Sequence, residues 1–232
     1  MNGVIPEDAR FEVKFVAEAT RYHDLERWIL LNTAGFKTTY PPRRVNNVYF
    51  DTPDLFSYAE NLSGTSDRAK VRLRWYGGST TPESTVLEVK RRRNHLGWKH
   101  HFDGGPADFR ADSWIALRRQ LGSHLAPEGK IWLDAHPTPV LINRYDRQYF
   151  ETPEGKLRAT LDRHQAVFDQ RVQSRPNLRQ RANLPDTVVV EIKFRRSDHR
   201  FAAPVIEGLP VRVSRNSKYV IGVRAILQPL GG

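Results

Sequence analysis

The sequence predicts a mainly β protein of the α+β class, an inside-out barrel with helices packed outside. Three observations predict it. Segments of alternating residues outnumber helical ones along the chain. The alternate faces of these strands are unusually uneven: one row is apolar, the other is Arg, Lys and Glu rather than a mix of Thr, Ser and Gln. The third is a repeated Glu-x-Lys on three separate strands, at Glu12-Val13-Lys14, Glu88-Val89-Lys90 and Glu191-Ile192-Lys193. Helices need an apolar surface, and the strands' apolar rows supply it. The charged rows then face inward and line a water-filled passage, because charges cannot be left dry and unpaired.

The elements follow in order. Residues 11–16 alternate as a strand, with Glu12 and Lys14 opposite Phe11, Val13 and Phe15. Thr20 caps a helix running to residue 33, with Leu25, Trp28, Ile29 and Leu31 as its buried side and Gly35 as its stop. Pro41-Pro42 breaks the chain before a strand at 44–51, and residues 55–62 form a short helix closed by Gly64. Residues 67–76 are a strong strand, with Arg68, Lys70, Arg72 and Arg74 on one face and Ala69, Val71, Leu73 and Trp75 on the other. Residues 85–92 and 98–102 form a hairpin, and 113–121 a helix. Residues 140–150 and 156–162 form a second hairpin turned at Glu154-Gly155, with Arg158, Thr160 and Asp162 opposite Leu157, Ala159 and Leu161. The basic, Pro-containing stretch 171–186 reads as a mobile loop. A last strand covers 187–194 and an amphipathic helix 217–227. No linker divides the chain, so a single domain over residues 1–232 is expected.

Composition narrows the function. The net charge of +11 points to a polyanionic partner: nucleic acid, an anionic membrane surface or a phosphorylated small molecule. The absence of cysteine removes disulfides and thiol chemistry. The first residues hold no apolar signal core, and no run approaches the roughly 18 apolar residues of a membrane span, so a cytoplasmic protein is expected. No Walker loop, Rossmann glycine motif or Ser-His-Asp order is present.

The inward rows narrow it further. Their basic groups outnumber their carboxylates, and such charges repel one another unless an anion of several charges lies among them. A polyphosphate-like chain fits. The Glu beside each Lys repels phosphate unless a divalent cation bridges them, as Mg²⁺ or Mn²⁺ does when held by one or two carboxylates and phosphate oxygens. His100 and His101 are adjacent on a strand, point to opposite faces and do not chelate together. The cluster "KRRRNH" at 90–95 suits a nucleic-acid patch or the mouth of a basic passage equally. Asp51 and Asp162 are read as carboxylates that orient neighbouring arginines rather than as catalytic bases.

These segments resemble the triphosphate tunnel metalloenzyme (CYTH-like) superfamily, and within it the polyphosphate polymerase (VTC) domain of the vacuolar transporter chaperone complex. The matching pieces are the three Glu-x-Lys pairs, "YFDT" at 49–52, "VRLRWYGG" at 71–78, "YDRQYF" at 145–150, "LRATLD" at 157–162 and "SKY" at 217–219. The resemblance implies an eight-stranded antiparallel tunnel that binds ATP, triphosphate or polyphosphate with Mn²⁺ or Mg²⁺, and that moves the terminal phosphoryl group of ATP onto a polyphosphate chain. It implies Lys14, Arg72, Arg74, Lys90, Arg147, Arg158, Lys193 and Lys218 as phosphate ligands, Lys70, Arg68, Lys99 and Arg215 as further substrate contacts, and Glu191 with Glu12 and Glu88 as metal carboxylates. The superfamily's hydrolytic branch carries a further Glu in the first strand, where this chain has Arg10. The rival readings are a triphosphatase of the same fold, a polyphosphate-binding module without turnover, and a nucleic-acid-binding protein. The inward direction of the basic rows argues against nucleic acid.

Overall fold

The computed structural model describes residues 5–228, so the first four and last four residues of the expected domain lie outside the described part. Its strands are β1 (Arg10–Glu18), β2 (Lys37–Asp51), β3 (Asp67–Tyr76), β4 (Thr85–Arg93), β5 (Leu96–Gly105), β6 (Thr138–Glu151), β7 (Leu157–Asp169) and β8 (Thr187–Arg195). All pairs are antiparallel in the order β1-β5-β4-β3-β2-β6-β7-β8, and β8 pairs back to β1, so eight strands close into a ring. Closure removes the open sheet edges that would otherwise invite pairing with other chains. The seam is thin at β1–β5, which share one registered pair, Arg10 with Gly97. The helices are α1 (Tyr22–Leu31), α2 (Phe56–Ser63), α3 (Trp114–His124), α4 (Pro127–Ala135), α5 (His199–Gly208) and α6 (Lys218–Leu227).

The apolar strand rows face outward under helices, as their alternation predicts. Val71, Leu73 and Trp75 of β3 pack with Trp114, Leu117 and Leu121 of α3 and Leu133 of α4. Phe15, Leu157, Ala159, Val190 and Ile192 pack with Leu25 and Ile29 of α1 and Ala202 and Val205 of α5. At about 25 cal/mol per Å² these two layers are the main source of stability.

One helix departs from the expected outer layer. Helix α6 sits on Tyr49, Leu141 and Val167, on the inward side of the sheet at the end where β2 finishes and β6 begins. That end of the interior is apolar, and the Tyr49 and Tyr219 rings stack at 4.9 Å. Gly222 permits the approach: a Cβ there would stand 2.8 Å from Leu141 and 3.3 Å from Val167. Gly64 closes α2 with φ 79°, a left-handed conformation that glycine adopts without steric cost.

Other expectations need correction. Helix α1 is not capped by Thr20: a 3₁₀ turn, Ala19–Arg21, precedes it, and the Tyr22 hydroxyl donates to Gln148 at 2.6 Å. Leu31 is 76% exposed, because it lies two residues, over half a turn, from the buried row of Tyr22, Leu25 and Ile29. Pro41-Pro42 does not precede β2 but lies inside it. There β2 pairs with β6 alone, through register shifts on both sides of Tyr40, so the missing N–H groups interrupt no second ladder. Helices α4 and α5 were not foreseen; Pro127 opens the first and Pro204 stands inside the second. The stretch 171–186 has no helix or strand of its own, but hydrogen bonds join it to β7 and α6. Arg171 donates to Asp169 and to the Ile226 carbonyl at 2.8 Å, Asn177 N–H to Gln170 at 2.7 Å, and Ala182 N–H to the Val167 carbonyl at 2.8 Å.

Candidate functional site

The inward rows meet inside the ring. Strands β1 and β8 set their two Glu-x-Lys pairs in crossed register, with Glu12 opposite Lys193 and Lys14 opposite Glu191. The Lys14 ammonium lies 2.8 Å from Glu12 and 3.6 Å from Glu191, and donates to the Asn216 carbonyl at 2.9 Å. Lys193 pairs with Glu191. Lys90 of β4 reaches past β5 to Glu12 at 2.8 Å. The third Glu-x-Lys is therefore split between two clusters.

Its carboxylate, Glu88, stands among arginines. Arg72 Nε donates to it at 2.7 Å, Arg74 Nη1 at 3.1 Å and Lys99 Nζ at 3.4 Å. The His101 ring lies 3.5 Å away. Neighbouring polar groups hold the guanidiniums further: Tyr49 hydroxyl accepts from Arg72 at 3.1 Å, and Asn47 from Arg74 at 2.8 Å. Asn47 in turn donates to Asn143 at 2.7 Å. A third cluster is built on fully buried Asp162. Arg147 grips it with two bonds, 2.6 and 2.7 Å, and Lys218 at the start of α6 donates at 2.6 Å. Asp162 thus orients an arginine, as expected. Asp51 does not: it accepts from Ser57 and Tyr58 N–H groups, both at 2.9 Å, and from the Tyr219 hydroxyl, so it fixes the first turn of α2 and the seat of α6.

Not every expected residue joins these clusters. Arg158 is exposed at one rim, paired with Glu151 at 2.8 Å. Arg68 is held at the other by Asn61 and Thr65, with exposed Arg215 as a like-charged neighbour. Lys70 points inward and donates to Ser217 Oγ at 2.8 Å, with no carboxylate at ion-pair distance among the described residues. Tyr49, Asn47, Asn143 and Tyr145 were not foreseen as site groups. Tyr49 and Tyr145 lie in the motifs "YFDT" and "YDRQYF"; Tyr49 and Asn47 share the inward face by pairing with Arg72 and Arg74, Asn143 by pairing with Asn47, and Tyr145 by lying two residues from Asn143.

The electrostatics follow from crowding. Burial pushes the Glu12 carboxyl up, but Lys14, Lys90 and Lys193 hold it well below the usual range. Burial and the Glu12 charge push Glu191 up, and Lys193, Lys14 and Arg147 reverse this. Against burial, Glu12 and Glu191 raise Lys14, but three other lysines show the opposite strain. Burial, with Lys14 and Lys193 nearby, pushes Lys90 down to about 8 despite Glu12. Burial, Lys90 and Lys14 hold Lys70 well below its usual value, and burial does the same to Lys99. The inward cations exceed the carboxylates placed among them, and this excess is what an entering polyanion would relieve.

Among the described residues, no three or more His, Asp or Glu groups are arranged as a metal cage. Glu12 and Glu191, on either side of Lys14, fit a different kind of site, in which one or two carboxylates share the ion with water and phosphate oxygens. Glu88, expected to join them, is instead enclosed by Arg72 and Arg74.

The VTC domain family model matches residues 9–227. The chain belongs to the VTC domain family. No curated protein sequence matches it. Membership ties this VTC domain to polyphosphate chemistry, and the matched span takes in all eight strands and α6. Among its described residues no helix is long and apolar enough to cross a membrane.

Proposed function

We propose that this VTC domain is a metal-dependent polyphosphate polymerase whose ring encloses a basic tunnel for ATP and the growing chain. The observation that carries the reading is the excess of inward cations around the Glu12–Lys14–Glu191 group, in a chain of this family.

Phosphoryl transfer asks a protein mainly to position groups and neutralise charge. Arg72, Arg74 and Arg147 are already oriented by Glu88 and Asp162, so little order is lost when they clamp non-bridging oxygens. Lys14, Lys90, Lys193 and Lys218 supply point charges, with Lys70 and Lys99 behind them. Mn²⁺ or Mg²⁺ held by Glu191 and Glu12 supplies further neutralisation of phosphate oxygens. The terminal phosphate oxygen of the acceptor chain forms a bond to the γ-phosphorus. The bond from that phosphorus to the β–γ bridging oxygen breaks, and ADP leaves with the electron pair. At the rim, Arg10 lies with Arg158 and Arg195, so positive charge stands where the superfamily's hydrolytic branch carries a carboxylate.

Incubation with ATP and Mn²⁺ tests the reading. Expected are ADP and chains long enough to stain on a gel, after a lag that short polyphosphate primers shorten. Orthophosphate in step with ADP, and no chain even with primer, would make the protein a triphosphatase of the same fold.

A further inference from the structure

Strands β2 and β6 outrun their neighbour. Strand β3 ends at Tyr76, opposite Val45, while β2 and β6 stay paired as far as Lys37 with Glu151. The result is a wall of β2, β6 and β7 that runs on past the end of β3 at one mouth of the ring. Its inward side carries Tyr40, Arg43 and Tyr149, next to Tyr76 at the end of β3. The Arg43 guanidinium lies 4.9, 5.3 and 5.1 Å from the centroids of Tyr40, Tyr76 and Tyr149. Tyr40 and Tyr149 meet edge to face at 5.8 Å. The row continues inward, since Arg147 lies over both Tyr149 and Tyr145.

Phosphate recognition gives no reason for aromatic rings here. A self-contained stack around Arg43 would bury its rings, yet Tyr40 is 54% and Tyr76 45% exposed. Exposed rings fixed by a guanidinium are the surface on which a planar heteroaromatic group stacks. Tyr76 is four residues from Arg72 on the same face of β3, about 13 Å, a span that a ribose and its phosphates can bridge. Helix α6 covers part of the opposite end, so the mouth with the tyrosines is the one where a base has room.

We propose that Tyr40, Arg43 and Tyr76 form a docking platform for the base of the nucleoside triphosphate, outside the phosphate-binding interior. The inference rests on the reading of that interior as a triphosphate site. It assigns to the mouth the discrimination between ATP and inorganic triphosphate, which the phosphate ligands cannot make.

The test is binding in metal-free buffer of a non-hydrolysable ATP analogue and of inorganic triphosphate, by calorimetry. In the double variant Tyr40→Ala/Tyr76→Ala the ATP analogue should bind about tenfold more weakly, while inorganic triphosphate stays within about twofold. The double Tyr→Phe variant should keep ATP affinity, because the ring face is retained. Unchanged ATP affinity in the alanine variant, or an equal loss for both ligands, overturns the platform while leaving the interior reading intact. A wild-type protein that binds neither ligand overturns both. Unchanged melting temperatures in the variants separate a binding defect from a folding one.

Discussion

The Tyr219 hydroxyl donates to the fully buried Asp51 carboxylate, joining helix α6 to the end of β2. Burial and the Asp51 charge raise the Tyr219 pKa, so the phenol remains a donor at any working pH. Through this bond the fold sets where α6 begins. That start carries Ser217, which accepts from Lys70, and Lys218, which donates to Asp162.

Tyr219→Phe should therefore destabilise the domain by about 1–3 kcal/mol, the cost of leaving a buried acceptor short of one partner. Asp51→Ala should cost more, since it also strips the first turn of α2 of its acceptor. Urea denaturation measures both. Inorganic triphosphate should bind Tyr219→Phe more weakly than wild type, because Lys218 loses its fixed position. Unchanged affinity and stability would show that α6 is held by its apolar contacts alone.

Arg72 and Arg158 share a motif-based expectation but not an environment. Arg72 is buried against Glu88 and Tyr49, whereas Arg158 is exposed beside Glu151. Arg72→Ala should weaken inorganic triphosphate binding at least about tenfold, as expected for loss of a desolvated charge-assisted contact. Arg158→Ala should change it by no more than about threefold, within the range of exposed ion pairs. Titration calorimetry at fixed ionic strength decides; equal losses would place Arg158 on the bound anion.

Glu191→Gln separates phosphate binding from metal binding. The substitution removes a negative charge from beside Lys14 and Lys193. Affinity for inorganic triphosphate without metal should hold or rise, while Mn²⁺-dependent turnover of ATP should fall at least about a hundredfold. Full turnover would remove Glu191 from the metal carboxylates.

Much of this arrangement is legible in the sequence, for a physical reason. In β3 and β8 the two faces differ so sharply in polarity that period-two alternation fixes the inward side of Arg72, Arg74, Glu191 and Lys193. Alternation does not say which inward groups meet, since that depends on register and on the order of strands around the ring. Hence Glu88 was expected beside Glu12 but lies with Arg72 and Arg74, two strands away from β1. Asp51 was misread because its partners are backbone N–H groups six and seven residues later and a tyrosine from the last helix. The proline signal misleads at Pro41-Pro42, which lies inside β2, where tertiary pairing overrides a local preference.

In the free protein Lys90 titrates at about 8, because burial and neighbouring lysines oppose its charge. A bound polyanion favours the charged form, so its pKa rises in the complex. Below pH 8 both forms hold the proton and the affinity is level. Above it the free protein has lost the proton that the complex keeps, so binding takes up a proton and affinity falls as pH rises. The same shift acts on folding with its own sign. Between the folded value of about 8 and the ordinary lysine value near 10.5, the unfolded chain binds more protons, so this lysine's contribution makes stability rise with pH there. Inorganic triphosphate should thus bind more weakly at pH 9 than at pH 7 while the fold gains from Lys90 deprotonation. Calorimetry in buffers of different ionisation enthalpy should register net proton uptake at pH 8.5. Lys90→Arg, which keeps its charge throughout, should reduce both the uptake and the slope. Proton release on binding, or a slope that Lys90→Arg leaves unchanged, would show that Lys90 does not face the anion.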